Sequence, residues 1–222
     1  MKILVLAAMD KEINLLLDLL QNPEELQVED IKVWKGRVGN KQLFVGKCGI
    51  GKVNSALTTD KLLRTLAPDI VINSGVAGGA GTPIGEVIVA DNVTYHDVWC
   101  GPGTAYGQAD GLPLLMKPSE EILAIAQRYG LKTGQICSGD KFISTADEIK
   151  FIREKFPEVK AVDMESASIA QTCILNGIPF AIVRVVSDTP GEGENINQYK
   201  DFWENAPKKT FAALTKILQA LE

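Results

Sequence analysis

The chain has 222 residues, of which 45% are hydrophobic and 23% charged, and its net charge is −5. That balance excludes disorder as the main state, and the mild acidity lacks the electrostatic footprint of a nucleic-acid binder. The single histidine and the scattered cysteines Cys48, Cys100, Cys137 and Cys173, with no C-x-x-C pair, argue against a zinc centre and for a reducing compartment, the cytoplasm. No apolar run reaches the roughly 18 residues of a membrane span, and residues 1–222 read as a single domain. In chain order, Ile3 to Ala7 is a buried strand and Asp10 caps a helix whose apolar stripe is Ile13, Leu16, Leu17 and Leu20, ended by Asn22-Pro23. Ile31 to Val38 and Gln42 to Cys48 form a hairpin around Gly39-Asn40. A Gly49-Ile50-Gly51 turn leads into a helix from Val53 to Leu66, and Asp69 to Asn73 is a strand followed by a glycine-rich turn from Gly75 to Gly81. Val87 to Ala90 and Val93 to Tyr95 are strand-like, and Trp99 to Leu115 reads as a long functional loop. Helices over Glu120 to Tyr129, Thr145 to Phe156 and Glu165 to Leu175 alternate with strands over Gly134 to Ser138, Lys160 to Asp163 and Pro179 to Ser187. Gly191 and Gly193 sit in a second loop, and one helix from Gln198 to Leu221 closes the chain.

This alternation predicts an α/β fold with a mostly parallel central sheet, whose ligands bind outside the carboxyl ends of the strands. Those ends carry Met9 and Glu12, then the Gly75-Val76-Ala77-Gly78-Gly79 turn, then Asp140, Phe142 and Ile143, then Asp163, Met164 and Glu165, and last Asp188. Each alone has a plain structural explanation: a carboxylate in a first helical turn complements the helix dipole, and an aspartate before Thr189-Pro190 suits a turn. Their conjunction at one edge points to a pocket. Two motifs mislead. Gly46 to Lys52 fits G-x-x-x-x-G-K, yet Val53 stands where a P-loop needs a hydroxyl for magnesium. His96 has no nucleophile beside it and reads as structural.

Taken together, Ala8-Met9-Asp10-Lys11-Glu12, Gly49 to Asn54, Asn73 to Gly79, Tyr95-His96-Asp97, Ser138 to Ile143, Val162 to Ser166 and Arg184 to Asp188 resemble the bacterial 5′-methylthioadenosine/S-adenosylhomocysteine nucleosidases of the purine nucleoside phosphorylase-like superfamily, over essentially the whole chain. The resemblance implies a three-layer α/β/α sandwich with a mixed, mostly parallel central sheet, a homodimer, and hydrolysis of adenine thionucleosides without metal or organic cofactor. It implies that Glu12 activates the attacking water near Arg184, that Asp188 acts at purine N7, and that Glu165 holds the ribose hydroxyls. Phe142 would stack on adenine and the Ile143 backbone would hydrogen-bond it. Met9, Ile50 and Met164 would line the ribose and 5′-alkylthio region beside Val76, Ala77 and Gly78, with Tyr199, or else Phe202, covering the pocket. Val76 replaces a serine common among such proteins, Asp163 replaces a glutamate, and residues 99–115 match only at Tyr106-Gly107-Gln108.

The chemistry explains the residue types. Departing adenine gathers negative charge, which a protonated carboxyl at N7 offsets, while an ionised carboxylate takes a proton from water on the other face of the sugar. The two need opposite protonation states at one pH. An apolar lining of Met9, Phe142 and Met164 is expected to keep Asp188 protonated, and solvent exposure to keep Glu12 ionised. A phosphorolytic enzyme, an aminodeoxyfutalosine-type nucleosidase and a non-catalytic nucleoside binder are the competing readings. A phosphate site wants clustered arginines, and only Arg184 of the five lies in a motif.

Overall fold

The first apolar run becomes the centre of a sheet. In a computed structural model of the chain, which describes residues 1–205 and 208–221, β1 (Lys2–Ala7) pairs in parallel with β4 (Lys41–Lys47) on one side and β5 (Ile70–Gly79) on the other. Beyond β4 lie β3 (Ile31–Val38) and the edge strand β2 (Gln21–Val28), both antiparallel. Beyond β5 lie β8 (Val159–Asp163), β7 (Lys132–Ser138), β6 (Val87–Tyr95) and β9 (Phe180–Asp188), and β9 returns to pair in parallel with β5. One end of the mixed sheet therefore closes into a five-stranded ring, which leaves no free edge there.

The period-2 alternation of β1 sorts the two faces. Ile3 and Val5 pack with Ile13 and Leu16 of α1 (Asp10–Leu17), Ile122 and Ile125 of α3 (Glu120–Arg128), and Leu214, Ile217 and Leu218 of α7 (Lys208–Ala220). Leu4 and Leu6 face Leu62 and Leu63 of α2 (Lys52–Leu66) and Ala167, Ile169 and Ala170 of α5 (Ser166–Leu175). A smaller cluster seats Ile149 and Ile152 of α4 (Ala146–Lys155) on Cys137 and Val162. Helices on both faces make this an α/β sandwich, and they explain why the central strands read as unbroken apolar runs.

The sequence expectations need five corrections. Asp10 does not cap α1. Met9 is the N-cap residue, the Glu12 carboxylate takes the Ala8 and Met9 N–H groups, and Asp10 pairs with Lys47. The helix ends at Leu17, and Asn22-Pro23 lies inside β2, whose exposed, charged residues follow no alternation because they form a sheet edge where proline is tolerated. The glycines after Asn73 do not turn. They continue β5 as far as Gly79, with Val76 opposite Val185 and Gly78 opposite Asp188. The segments Val87 to Ala90 and Val93 to Tyr95 are one strand, with a bulge between Ala90 and Asn92. The closing helix is two, α6 (Asn195–Asn205) and α7, with Pro207, which has no N–H to donate, standing between them in sequence.

Candidate active site

The parallel strands β1, β5 and β9 bring their carboxyl ends to one edge of the sheet, and a cavity opens there. Glu12 enters from the first turn of α1. Its Oε2 accepts hydrogen bonds from Ala8 N at 2.8 Å and Met9 N at 3.0 Å, and its Oε1 accepts one from Val76 N at 3.1 Å. Gly75 is required by this approach, because a Cβ there would lie 2.7 Å from Glu12 Oε1. Glu12 is buried, at 7% exposure, so solvent does not keep it ionised as the sequence suggested. Burial pushes its pKa upward, while Arg184 and the three backbone N–H groups pull the other way.

Arg184 does not line the cavity. Its guanidinium is fully buried behind the wall, where Nε donates to Asp163 Oδ2 at 2.8 Å and Nη2 lies 2.7 Å from the same oxygen. Nη2 also donates to Asn73 Oδ1, and Nη1 to the Asn73 carbonyl at 3.2 Å. Ser166 Oγ donates to Asp163 as well. The cavity thus feels one fixed positive charge from behind, already committed to a carboxylate.

Glu165 is held beside it by the N–H of Gly51, at 2.9 Å, from the turn before α2. The next N–H, of Lys52, donates to Asp140 Oδ1 at 2.7 Å. The helix end that imitates a P-loop therefore spends these donors on the protein's own carboxylates. Burial first, and the neighbouring Asp163 second, raise the Glu165 pKa to about 7.

Asp188 closes β9 at 2% exposure. Ser187 Oγ donates to its Oδ1 at 2.7 Å, and Asn195 Nδ2 to its Oδ2 at 3.1 Å. Desolvation raises its pKa, and these two hydrogen bonds oppose the rise. Phe142 and Tyr199 meet edge to face, with ring centroids 5.9 Å apart, and Tyr199 Oη donates to Met9 Sδ at 3.3 Å. Tyr199 lines the cavity, whereas Phe202 is buried and does not.

Met9, Glu12, Ile50, Val76, Ala77, Gly78, Phe142, Ile143, Met164, Glu165, Asp188 and Tyr199 thus border one cavity, while Arg184, Asp140 and Phe202, also singled out in the sequence, stand back from it. Asp163, placed by the sequence at the pocket edge, lines the cavity too, whereas Ser187 was passed over as a lining group although it lies within a quoted motif. Sequence reasoning also missed Asn195, which stands in a polar stretch with no pattern to mark it.

Comparison with known proteins agrees with this geometry. A family model of the phosphorylase superfamily matches residues 2–219. The chain is 35% identical, over the full length of both chains, to a 5′-methylthioadenosine/S-adenosylhomocysteine nucleosidase of Geobacillus sp. (strain WCH70). Its fold is similar to a crystal structure of S-adenosylhomocysteine nucleosidase from Streptococcus pyogenes in complex with 5-methylthiotubericidin, with a TM-score of 0.95, 36% identity, and coverage of 100% of this chain and 98% of that one. It is also similar to a futalosine hydrolase mutant of Helicobacter pylori strain 26695, with a TM-score of 0.91, 30% identity and 99% coverage of both chains. The chain belongs to the 5′-methylthioadenosine/S-adenosylhomocysteine nucleosidase family of the phosphorylase superfamily.

Proposed function

We propose that the protein, acting as one unit over residues 1–222, hydrolyses the N-glycosidic bond of 5′-methylthioadenosine and S-adenosylhomocysteine, releasing adenine and the 5′-thioribose. The observation that carries this reading is that four buried carboxyl groups border one cavity: Asp163 is paired with Arg184, and Glu12, Glu165 and Asp188 each lie in a different electrostatic setting. Glu12 has a cation behind it and three N–H donors, so it serves as the base that takes a proton from water. Asp188 is raised by burial and receives only a hydroxyl and an amide N–H, so it serves as the acid that protonates N7 as the base leaves. Help of this kind is typically worth ~10²–10⁴-fold in rate. Glu165 accepts the ribose hydroxyls, and its charge favours the cationic sugar that develops as the bond breaks.

Phosphorolysis is disfavoured because the buried Arg184 is spent on Asp163, and Lys141 at the cavity is paired with Glu148 at 2.6 Å. The likeness to a futalosine hydrolase supports a second substrate reading, an aminodeoxyfutalosine-type nucleoside cleaved by the same groups. A purely nucleoside-binding role would leave the buried proton donor without use.

The functional unit in this reading is a homodimer in the cytoplasm. Val53 and Leu57 are exposed on one face of α2, with Ile50 at the cavity rim, and Leu175 is exposed on the neighbouring α5. A second copy covering this face would reach the cavity, with part of residues 99–115, including the exposed Trp99, at the partner site. Cys48, Cys137 and Cys173 are buried free thiols, which suits a reducing compartment, and no helix of the described residues is long and apolar enough to cross a membrane. The test is an adenine-release assay on the thionucleosides, with and without phosphate. Release that is independent of phosphate supports the reading, and a sugar 1-phosphate product overturns it.

A further inference from the structure

Asn195, the first residue of α6, is 3% exposed and reaches two groups of the site at once. Its Nδ2 lies 3.2 Å from the Ile143 carbonyl oxygen and 3.1 Å from Asp188 Oδ2. A carbonyl can only accept, so the atom facing it must be the amide nitrogen, and that fixes the orientation of the whole amide. The nitrogen has two N–H groups and two acceptors, so Oδ2 of Asp188 is held as an acceptor.

We propose that Asn195 is a positioning residue for the leaving-group acid: by holding Oδ2 as an acceptor, it leaves the transferable proton on Oδ1 and fixes that carboxyl relative to the main chain at Ile143. This rests on the reading of Asp188 as the acid. Ser187 fits the same proton inventory. Its Oγ is 2.7 Å from Asp188 Oδ1 and 3.3 Å from the Ala77 carbonyl, so while Asp188 is protonated it donates to Ala77 and leaves the Oδ1 proton free to pass to N7. Once the proton has gone to N7, the same hydroxyl turns to donate to Oδ1. Asn195 and Tyr199 are four residues apart on α6, which places them on one helical face. Docking that face delivers the amide to Asp188 and the phenol to Met9 together.

The titratable groups that share the cavity with Asp188 are Glu12, Glu165, Asp163 in its ion pair with Arg184, Lys141 in its ion pair with Glu148, and Tyr199 on the packed helix. Glu12 must be ionised and so governs the acid limb of kcat against pH. Burial pushes the Tyr199 phenol above its ordinary range, away from the alkaline limb, which reports loss of the Asp188 proton.

The experiment measures kcat and KM for adenine release from 5′-methylthioadenosine across the pH range in the wild type, Asn195→Leu, Asn195→Asp and Asp188→Asn, each checked by thermal melting. Without the amide donor the ionised form of Asp188 is less favoured, so in Asn195→Leu the alkaline limb moves upward by about half to one pH unit. Plateau kcat falls roughly tenfold or more while KM changes far less, as expected for a loss confined to the chemical step. In Asn195→Asp a second carboxyl shares the proton, and the limb moves higher still. An unmoved limb with kcat near the wild-type value, in either variant that melts normally, overturns the role of Asn195. Should the leucine variant not fold, the aspartate variant decides alone. Wild-type turnover by Asp188→Asn would instead overturn Asp188 as the acid, a separate failure.

Discussion

Glu12 and Asp188 are both carboxyl groups pushed upward by burial, and what divides the roles proposed for them is the company each keeps. Glu12 has Arg184 and three N–H donors; Asp188 has a hydroxyl and an amide. Replacing Asp188 by asparagine keeps a donor for N7 but removes the proton, so kcat should fall by about 10²–10⁴-fold with nucleoside affinity largely kept. The loss should shrink on a substrate with an activated leaving group, and an equal fractional loss on both substrates would count against the acid role. Glu12→Gln should nearly abolish turnover while isothermal titration still detects nucleoside binding. Burial and the neighbouring Asp163 raise the pKa of Glu165 to about 7. Ribose hydroxyls donating to it favour the ionised form, so nucleoside binding near pH 6 should release protons, visible as a buffer-dependent calorimetric enthalpy. Glu165→Gln should lose that release together with affinity and rate.

At the scale of elements, the motif residues were legible because each follows a strand end, and Met9, Glu12, Glu165 and Asp188 all border the cavity where strand order predicts a ligand. The course of β5 through its glycines was not legible, since glycine signals a turn and a close approach equally well. Here close approach decides it, because Glu12 presses on Gly75. Gly75→Ala should therefore displace the Glu12 carboxylate, costing about 1–3 kcal/mol in stability and much of the turnover. Melting at the wild-type temperature with full activity would contradict this. The edge strand β2 was illegible for the opposite reason, because its polar residues carry no periodicity. On α2, Val53 and Leu57 are exposed, and this is the face on which the proposed dimer would form. Leu57→Asp should give a monomer by sedimentation with reduced activity, whereas a fully active monomer would refute the shared site.

For the whole molecule, the buried carboxyl groups set a cost in stability. The folded state holds the Glu165 proton up to about pH 7, against 4.5 for an ordinary glutamate. It therefore binds more protons than the unfolded chain in that interval, and its contribution to stability is lost as pH rises from about 4.5 through about 7. Glu12 and Asp188 are shifted in the same direction. The melting temperature of the free protein should accordingly decline over that interval, and Glu165→Gln should flatten the decline. Fold class was readable from the alternation of strands and helices, but the closure of β5, β8, β7, β6 and β9 into a ring was not, because it depends on the return of β9 to β5 across more than a hundred residues of chain. The most direct test of the account is the product of turnover on 5′-methylthioadenosine in the presence and absence of phosphate. The account expects adenine and free 5-methylthioribose at the same rate in both conditions, and phosphate-dependent formation of the 1-phosphate would contradict it.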